Sequence, residues 1–425
     1  MHRISVRPSS EKAVLRRLLA ATTDSLDIPT AEFHPGVGTE GRGPLTACLF
    51  GRPANWEVVM IKERAWSIRR LTGRSFLPVI GSMVLTGTLT ATAQPPASQA
   101  ATTTTGSARV IATISLGHQL AYNVATNPVT HMVYVTEPKG LAVINGRTDK
   151  LVTVIPLPRG PHGAPDCPTS DILLDSLCNL TTDPLTGRVY VTDAARHAVL
   201  VIDARTNKLV ATIRVGGHMY WIAADPLTDK VYVQDWRQSA NQIAVIDGRT
   251  DTVIARVPES GPDAMGIAAD PRTSRVYVAG GSTGGVLVID GRTNQAVATV
   301  PGTGGDSRIA IGPVANTIYA AIPGAEGSGS LDMINGQTDT VTQTITLSSP
   351  VGIATDPLTH FAYIADYNNV VVINGRKGIV TQTITLPPAA PGAPSAIGIA
   401  TDPVANRVYV TNTFAHSVSV LAGSG

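Results

Sequence analysis

Aromatic residues make up only 4% of this 425-residue chain, charged residues 15%, and cysteine occurs three times. Charge this sparse excludes a coiled coil, whose flanking positions need it, and an apolar share of 43% excludes a wholly disordered chain. No HExxH, paired CxxC, Walker loop or dinucleotide glycine motif occurs, so neither a metal nor a nucleotide has a sequence argument, and no cofactor is expected. What the chain has in quantity is Gly, 40 residues, and Pro, 30, the residues of turns.

Charge divides unevenly along the chain. Residues 1–107 carry 12 Lys/Arg against 7 Asp/Glu, a balance of +5, whereas residues 108–425 carry 21 against 24, a balance of −3. The second part lacks the broad positive field behind most non-specific nucleic-acid affinity, which disfavours nucleic acid as a partner.

From Met60 the sequence reads as an export signal. Lys62, Arg64, Arg69, Arg70 and Arg74 precede a mostly apolar run from Phe76 to Leu89, and Ala91-Thr92-Ala93 supplies a small-x-small cleavage site. Pro78, Gly81 and Gly87 make the run too weakly apolar for a good membrane span. The expected organisation is therefore an upstream segment 1–59, disordered or not translated, a signal peptide 60–93, a flexible linker 94–107 and a folded body 108–425. The expected location is secreted or cell-surface, with no membrane span after cleavage. Removing the leader discards Cys48 and leaves Cys167 and Cys178, eleven positions apart, which an oxidising compartment could join as a disulfide.

The body is a repeat. A proline followed six residues later by a tyrosine recurs at Pro128/Tyr134, Pro184/Tyr190, Pro226/Tyr232, Pro271/Tyr277, Pro313/Tyr319, Pro357/Tyr363 and Pro403/Tyr409. Each unit reads as four short strands separated by turn residues. In the third they are Trp221 to Ala224, Val231 to Val233, Ile243 to Asp247 and Thr252 to Val257. Units of this length without a helical pattern predict an all-β, seven-bladed propeller of four-stranded antiparallel blades. Arg109 to Ile114 (RVIATI) parallels the fourth strand Lys208 to Ile213 (KLVATI), and the chain ends after a third strand, Val418 to Ala422. The N-terminal strand should therefore complete the last blade and close the ring, leaving no long free edge.

The strands Tyr134-Val135-Thr136, Tyr190-Val191-Thr192 and Tyr409-Val410-Thr411-Asn412, with the Ile-Asn/Asp-Gly-Arg-Thr turns at 144–148, 246–250 and 289–293, resemble the YVTN-family, YncE-like β-propeller repeat. The resemblance implies a WD40-like ring of the kind carried by exported bacterial and archaeal surface-layer proteins, in a fold neighbourhood that also includes lactonases and lyases. Gly312 for Asp, Gln337 for Arg and Ala204 for Gly depart from the repeat.

Residues present in every blade argue for scaffold. The seven tyrosines should pack between adjacent sheets with their hydroxyls bonded, and the Asp/Asn-Gly turns should supply positive φ. Function should lie where the repeat breaks. Five positions before each proline stand Asn123, Asn179, Trp221, Gly266, Arg308, Gly352 and Gly398, at the start of the innermost strand. Asn123, Asn179, Trp221 and Arg308, where side chains replace glycine, are the candidate ligand-binding residues, joined by His118 and Trp236. His218 and Asp263, each eight positions before its proline, could serve as general base and orienting partner, or as two ligands of a metal, and with Arg308 at the channel mouth they are the catalytic candidates. Asp193, Arg196, His197, Asp235, Arg237, Glu326, Asp366 and Tyr367 sit in other loops of the same face. An insertion from Pro158 to Cys178 should act as a lid or contact loop. Gly280 to Gly284 matches G-x-S-x-G but joins two strands, so it is not a hydrolase elbow. The expected function is a monomeric, non-catalytic binding scaffold for an extracellular ligand, polysaccharide or protein. A propeller hydrolase, lactonase or lyase, or a surface-layer element, is the alternative.

Overall fold

A computed structural model describes residues 107–424 except 139, 159–178, 238–240, 260–265, 281–283, 304–306, 313, 315, 325–327 and 387–395, together with the backbone of 46–50 and 57–61. Those two short segments, Thr46–Phe50 and Glu57–Ile61, pair as an antiparallel hairpin within a unit separate from the body. The cysteines 167 and 178, the insertion that holds them, the cleavage site and Asp263 lie outside the described residues.

The body is seven four-stranded antiparallel sheets arranged as a β-propeller. Blade 1 runs through Val124–Asn127, Met132–Glu137, Gly140–Asn145 and Lys150–Pro156. Blades 2 to 6 follow in the same inner-to-outer order, beginning at Leu180, His218, Ile267, Arg308 and Pro350. Blade 7 takes Ala396–Asp402, Arg407–Asn412 and Ser417–Ala422 from the end of the chain and Arg109–Ser115 from its start, as the sequence predicts. In the other six blades the register slips once between the third and fourth strands, as at Val201/Ile202 and Val245/Ile246. The N-terminal strand reproduces that slip against the last third strand, between Val110 and Ala112. Such a bulge sharpens the twist a blade needs, so the closing strand fills its place in full.

Burial follows from the layering. Third strands such as Ala198–Asp203 are buried at five of six positions, because both sheet faces are covered by neighbouring blades. Fourth strands face solvent and are mostly exposed, which is where Thr, Gln and charged residues collect. Each interblade cluster contains one repeat tyrosine. Tyr190 packs with the apolar residues of blade 3, and Tyr409 with those of blade 1 across the closing seam.

The tyrosine hydroxyls behave less uniformly than expected. Tyr409 donates to the Gly146 carbonyl at 3.2 Å, Tyr232 donates to that of Gly291 at 3.4 Å, and Tyr363 accepts from the Ser424 amide at 2.7 Å. Tyr134 and Tyr319 have no hydroxyl partner among the described residues.

The turn glycines have a different purpose from the one the sequence suggests. Gly146, Gly248, Gly291 and Gly336 do not have positive φ; that conformation falls three residues later, on Asp149, Asp251, Asn294 and Asp339. The glycines are needed because the preceding blade's tyrosine lies against them. A Cβ would stand 2.4 Å from the Tyr409 hydroxyl at Gly146 and 2.7 Å from that of Tyr232 at Gly291. The Asp or Asn before each glycine holds the turn by accepting two backbone N–H bonds, as Asp247 does from Arg249 and Thr250. These bonds lower the pKa of Asp203, Asp247 and Asp290.

The Asp-Pro turn at the other end is built in the same way. Asp183, Asp356 and Asp402 are buried and accept from the two amides that follow the proline. Asn127 performs the same task in blade 1. In blade 5 Gly312 has no side chain to do so, and its amide pairs with the Thr317 carbonyl at 2.7 Å, continuing the strand ladder.

Candidate functional site at the channel mouth

The innermost strands are stitched to one another by side chains. Two positions before the proline, the Thr355 hydroxyl donates to the Ile311 carbonyl of the preceding blade at 2.8 Å. Thr401 donates to Thr355 and Thr182 to Thr126, each at 2.7 Å, and Thr126 donates to Thr401 at 2.5 Å. This belt crosses the seam and links five blades, from 5 through 7 to 2. It stops where Ala224 and Ala269 replace threonine. A second set of threonines, those of the Tyr-Val-Thr strands, fixes the mouth. Thr136, Thr192 and Thr411 accept from the backbone amides of Asn123, Asn179 and Gly398, at 3.0, 3.0 and 2.7 Å. Thr411 also donates across the seam to the Tyr122 carbonyl at 2.8 Å.

These strands converge on one cavity of about 150 Å³. All seven residues that stand five positions before the prolines line it: Asn123, Asn179, Trp221, Gly266, Arg308, Gly352 and Gly398. The glycines are there because the next inner strand runs against them. A Cβ on Gly266 would lie 2.7 Å from the Ile309 amide nitrogen, and one on Gly398 2.7 Å from the Tyr122 carbonyl oxygen. The residues that follow in the strands, Ile222, Ile267, Ile309, Ile353 and Ile399, also border the cavity and pack into the interblade clusters.

Polarity in the cavity is concentrated in few groups. The Arg308 guanidinium carbon sits 4.3 Å from the centre of the Trp221 ring, a cation–π contact that holds the fork in one orientation. Close approach past Gly266 lets blade 5 meet blade 3 in this way. Asn123 and Asn179 are buried, and the Asn179 side-chain amide nitrogen has no hydrogen-bond partner among the described residues. Among the described residues no carboxylate, imidazole, thiol or hydroxyl side chain belongs to the lining.

The other candidates are placed elsewhere. His118 is exposed and outside the lining. His218 is also exposed; its ring meets that of His197 edge-on with centroids 4.8 Å apart, and His197 Nδ1 lies 2.9 Å from the Gly217 carbonyl. Trp236 packs on Tyr220, centroids 4.3 Å apart, and does not line the cavity.

Several loop carboxylates from the same face are structural anchors. Asp235 is fully buried and one of its oxygens accepts from Arg237 at 2.9 Å, Gln242 at 2.9 Å and Arg256 at 2.6 Å. Asp366 accepts from the Ser348 and Ser349 amides, and Asp193 from the Arg196 amide and guanidinium. Sequence reasoning missed Arg256, although it breaks a fourth-strand position that is threonine at Thr113, Thr212, Thr299, Thr344 and Thr383. The threonine belt was also missed, although its two-before-proline spacing is visible at Thr126, Thr182, Thr355 and Thr401.

Comparisons with known proteins agree with this architecture. No profile of a known protein family matches the chain. Over 106 residues it is 29% identical to the uncharacterized protein YncE of Salmonella typhi and to that of Salmonella typhimurium strain LT2, a match that takes in 25% of this chain. The chain spans only 29% of the length of those curated relatives. A chain of Kuenenia stuttgartiensis hydrazine synthase superposes with a TM-score of 0.57 at 14% identity, covering 71% of this chain and 94% of that one, which is a likeness of fold. The partial identity and the seven-bladed ring together fit a YncE-like β-propeller.

Proposed function

We propose that the protein is an exported, non-catalytic binding propeller that takes an extracellular ligand at the mouth of its central channel. One observation carries this reading. The positions where the repeat gives up glycine for Asn123, Asn179, Trp221 and Arg308 line a single cavity rather than being scattered around the ring. A small concave site with a few placed polar groups is the usual form of a ligand pocket.

The composition of the lining favours binding over turnover. Among the described residues of the lining Arg308 is the one charged side chain, and none is a general base or nucleophile. A hydrolase, lactonase or lyase would need such a group, and His218 is turned toward His197 outside the cavity. Export rests on the basic and apolar runs of residues 60–93. Among the described residues no helix is long and apolar enough to cross a membrane.

The test is native mass spectrometry of the full chain after incubation with spent culture medium, for wild type and Arg308→Gln side by side. Retention of a small molecule by wild type and its loss from the variant is expected. Equal retention by both, or none by either, would remove the channel mouth as the site.

A further inference from the structure

Away from the channel mouth, two imidazoles from neighbouring blades meet on the same loop-rich face. We propose that His197 of blade 2 and His218 of blade 3 together bind a divalent transition-metal ion of the copper, nickel and zinc group. His197 stands in the turn between the second and third strands of its blade, at φ 55°, and His218 opens the innermost strand of the next. Their rings are edge-on, with centroids 4.8 Å apart and planes at 79°. Neither lines the channel-mouth cavity, so this site stands or falls separately from the one proposed there.

Each ring is in the state a metal ligand needs. His197 Nδ1 lies 2.9 Å from the Gly217 carbonyl, which can only accept, so that nitrogen carries the proton and Nε2 keeps its lone pair. A ring hydrogen bond of this kind is what fixes the tautomer and orientation of metal-bound histidines. His218 is exposed, and its ring nitrogens have no partner among the described residues. The two loops are held together before any ion arrives, because the Val215 and Gly216 amides donate to the His197 carbonyl at 2.9 and 3.2 Å. Two cations stand close in the chain: Arg196 precedes His197, and Arg237 follows Trp236, the register partner of His218. Both are paired with buried carboxylates, Arg196 with Asp193 at 2.8 Å and Arg237 with Asp235 at 2.9 Å.

The ring separation suits one shared ion. A metal bonded at about 2.1 Å to a nitrogen of each ring lies about 3.3 Å from each ring centre. Centroids 4.8 Å apart then subtend roughly 90° at the metal, the angle between neighbouring positions of tetragonal copper(II) or nickel(II). The wider tetrahedral angle of zinc requires the exposed His218 ring to swing outward. Two nitrogens without a carboxylate do not suit calcium or magnesium. No third imidazole, thiol or carboxylate joins the pair among the described residues, so water completes the coordination and the bound ion keeps open positions.

The test is calorimetric titration of the full chain with nickel(II), zinc(II) and calcium, for wild type, His197→Asn, His218→Gln and the double variant. Asparagine tolerates the positive φ and can keep the bond to Gly217 through its amide while removing Nε2. Nickel should bind more tightly than zinc, and calcium should give no histidine-dependent heat. Each single variant should weaken nickel at least tenfold, since losing even the outer partner of a metal ligand costs about that much. The double variant should be no weaker than either single one, because a two-ring site is lost with one ring. Metal-free melts matching wild type exclude unfolding as the cause.

Nickel affinity unchanged by either substitution, or losses that simply add in the double variant, would overturn the shared site. A second readout needs no variant: nickel should protect His197 and His218 together from acylation by diethylpyrocarbonate, read by peptide mass mapping. Modification of both at the metal-free rate would equally overturn the proposal.

Discussion

Replacing Gly146 by alanine tests why every blade but one keeps glycine in its third-strand turn. The φ of Gly146 is not positive, so alanine brings no backbone strain, and the effect comes from what the new methyl meets. It would stand 2.4 Å from the Tyr409 hydroxyl oxygen, 2.9 Å from the His131 carbonyl oxygen and 3.3 Å from Tyr409 Cζ. Tyr409 is fully buried in the seam between blades 7 and 1 and donates to the Gly146 carbonyl, so it cannot retreat without giving up that bond. Overpacking of this kind costs about 1 to 3 kcal/mol. In a domain of this size each kcal/mol lowers the midpoint of melting by about 2 °C. The assay is urea unfolding of wild type, Gly146→Ala, Tyr409→Phe and the double variant. Tyr409→Phe alone should cost about 1 kcal/mol for the lost bond. The double variant should be more stable than the sum of the two losses implies, with a coupling of roughly 1 kcal/mol, because phenylalanine removes the oxygen that alanine strikes. Blade 2 supplies a natural precedent: Ala204 occupies the equivalent position, packed in one cluster with Tyr134, whose hydroxyl has no partner among the described residues. Simple additivity, or a Gly146→Ala variant as stable as wild type, would refute the reasoning.

Three further outcomes are expected. Thr401→Val keeps the shape but removes the donor to Thr355, and should cost about 1 kcal/mol in urea unfolding, whereas Ala224→Thr should extend the belt toward the Thr182 carbonyl without loss of stability. Burial pushes the hydroxyl pKa of Tyr134, Tyr190, Tyr319 and Tyr363 up to about 12, above the ordinary value of 10. Their contribution is therefore fully present below pH 10 and is lost as pH rises toward 12, so absorbance at the phenolate band should stay low until the ring unfolds. Asp356 is raised above its usual 3.8, mainly by burial, so ionising it costs stability as pH rises through its folded-state value. Asp356→Asn, which copies Asn127 of blade 1, should be no less stable than wild type at pH 7 and should show a flatter stability profile between pH 4 and 7 in thermal melts.

The ring could be read from the chain because each blade repeats the proline and tyrosine at a fixed offset, and because RVIATI recurs as KLVATI on the far side of a missing strand. The mouth could be read because glycine is its common residue, so Trp221 and Arg308 stand out at a single column of the repeat. Contacts between blades were harder to read. A repeat period shows which residues are equivalent but not which neighbour each one touches. Gly146 therefore looked like a turn requirement, when the deciding contact comes from Tyr409, 263 positions away. Asp235 likewise looked like a ligand-facing loop residue, although Arg237, Gln242 and Arg256 surround it. His218 was paired with Asp263 by offset alone. Its ring instead meets His197 of the preceding blade, and Asp263 lies outside the described residues.

The most direct measurement is a crystal structure of the full chain soaked with whatever small molecule it retains from its medium. The account predicts density bounded by Asn179, Trp221 and Arg308. Density against Trp236 and Tyr367 in the outer loops, or along the exposed fourth strands, would contradict it.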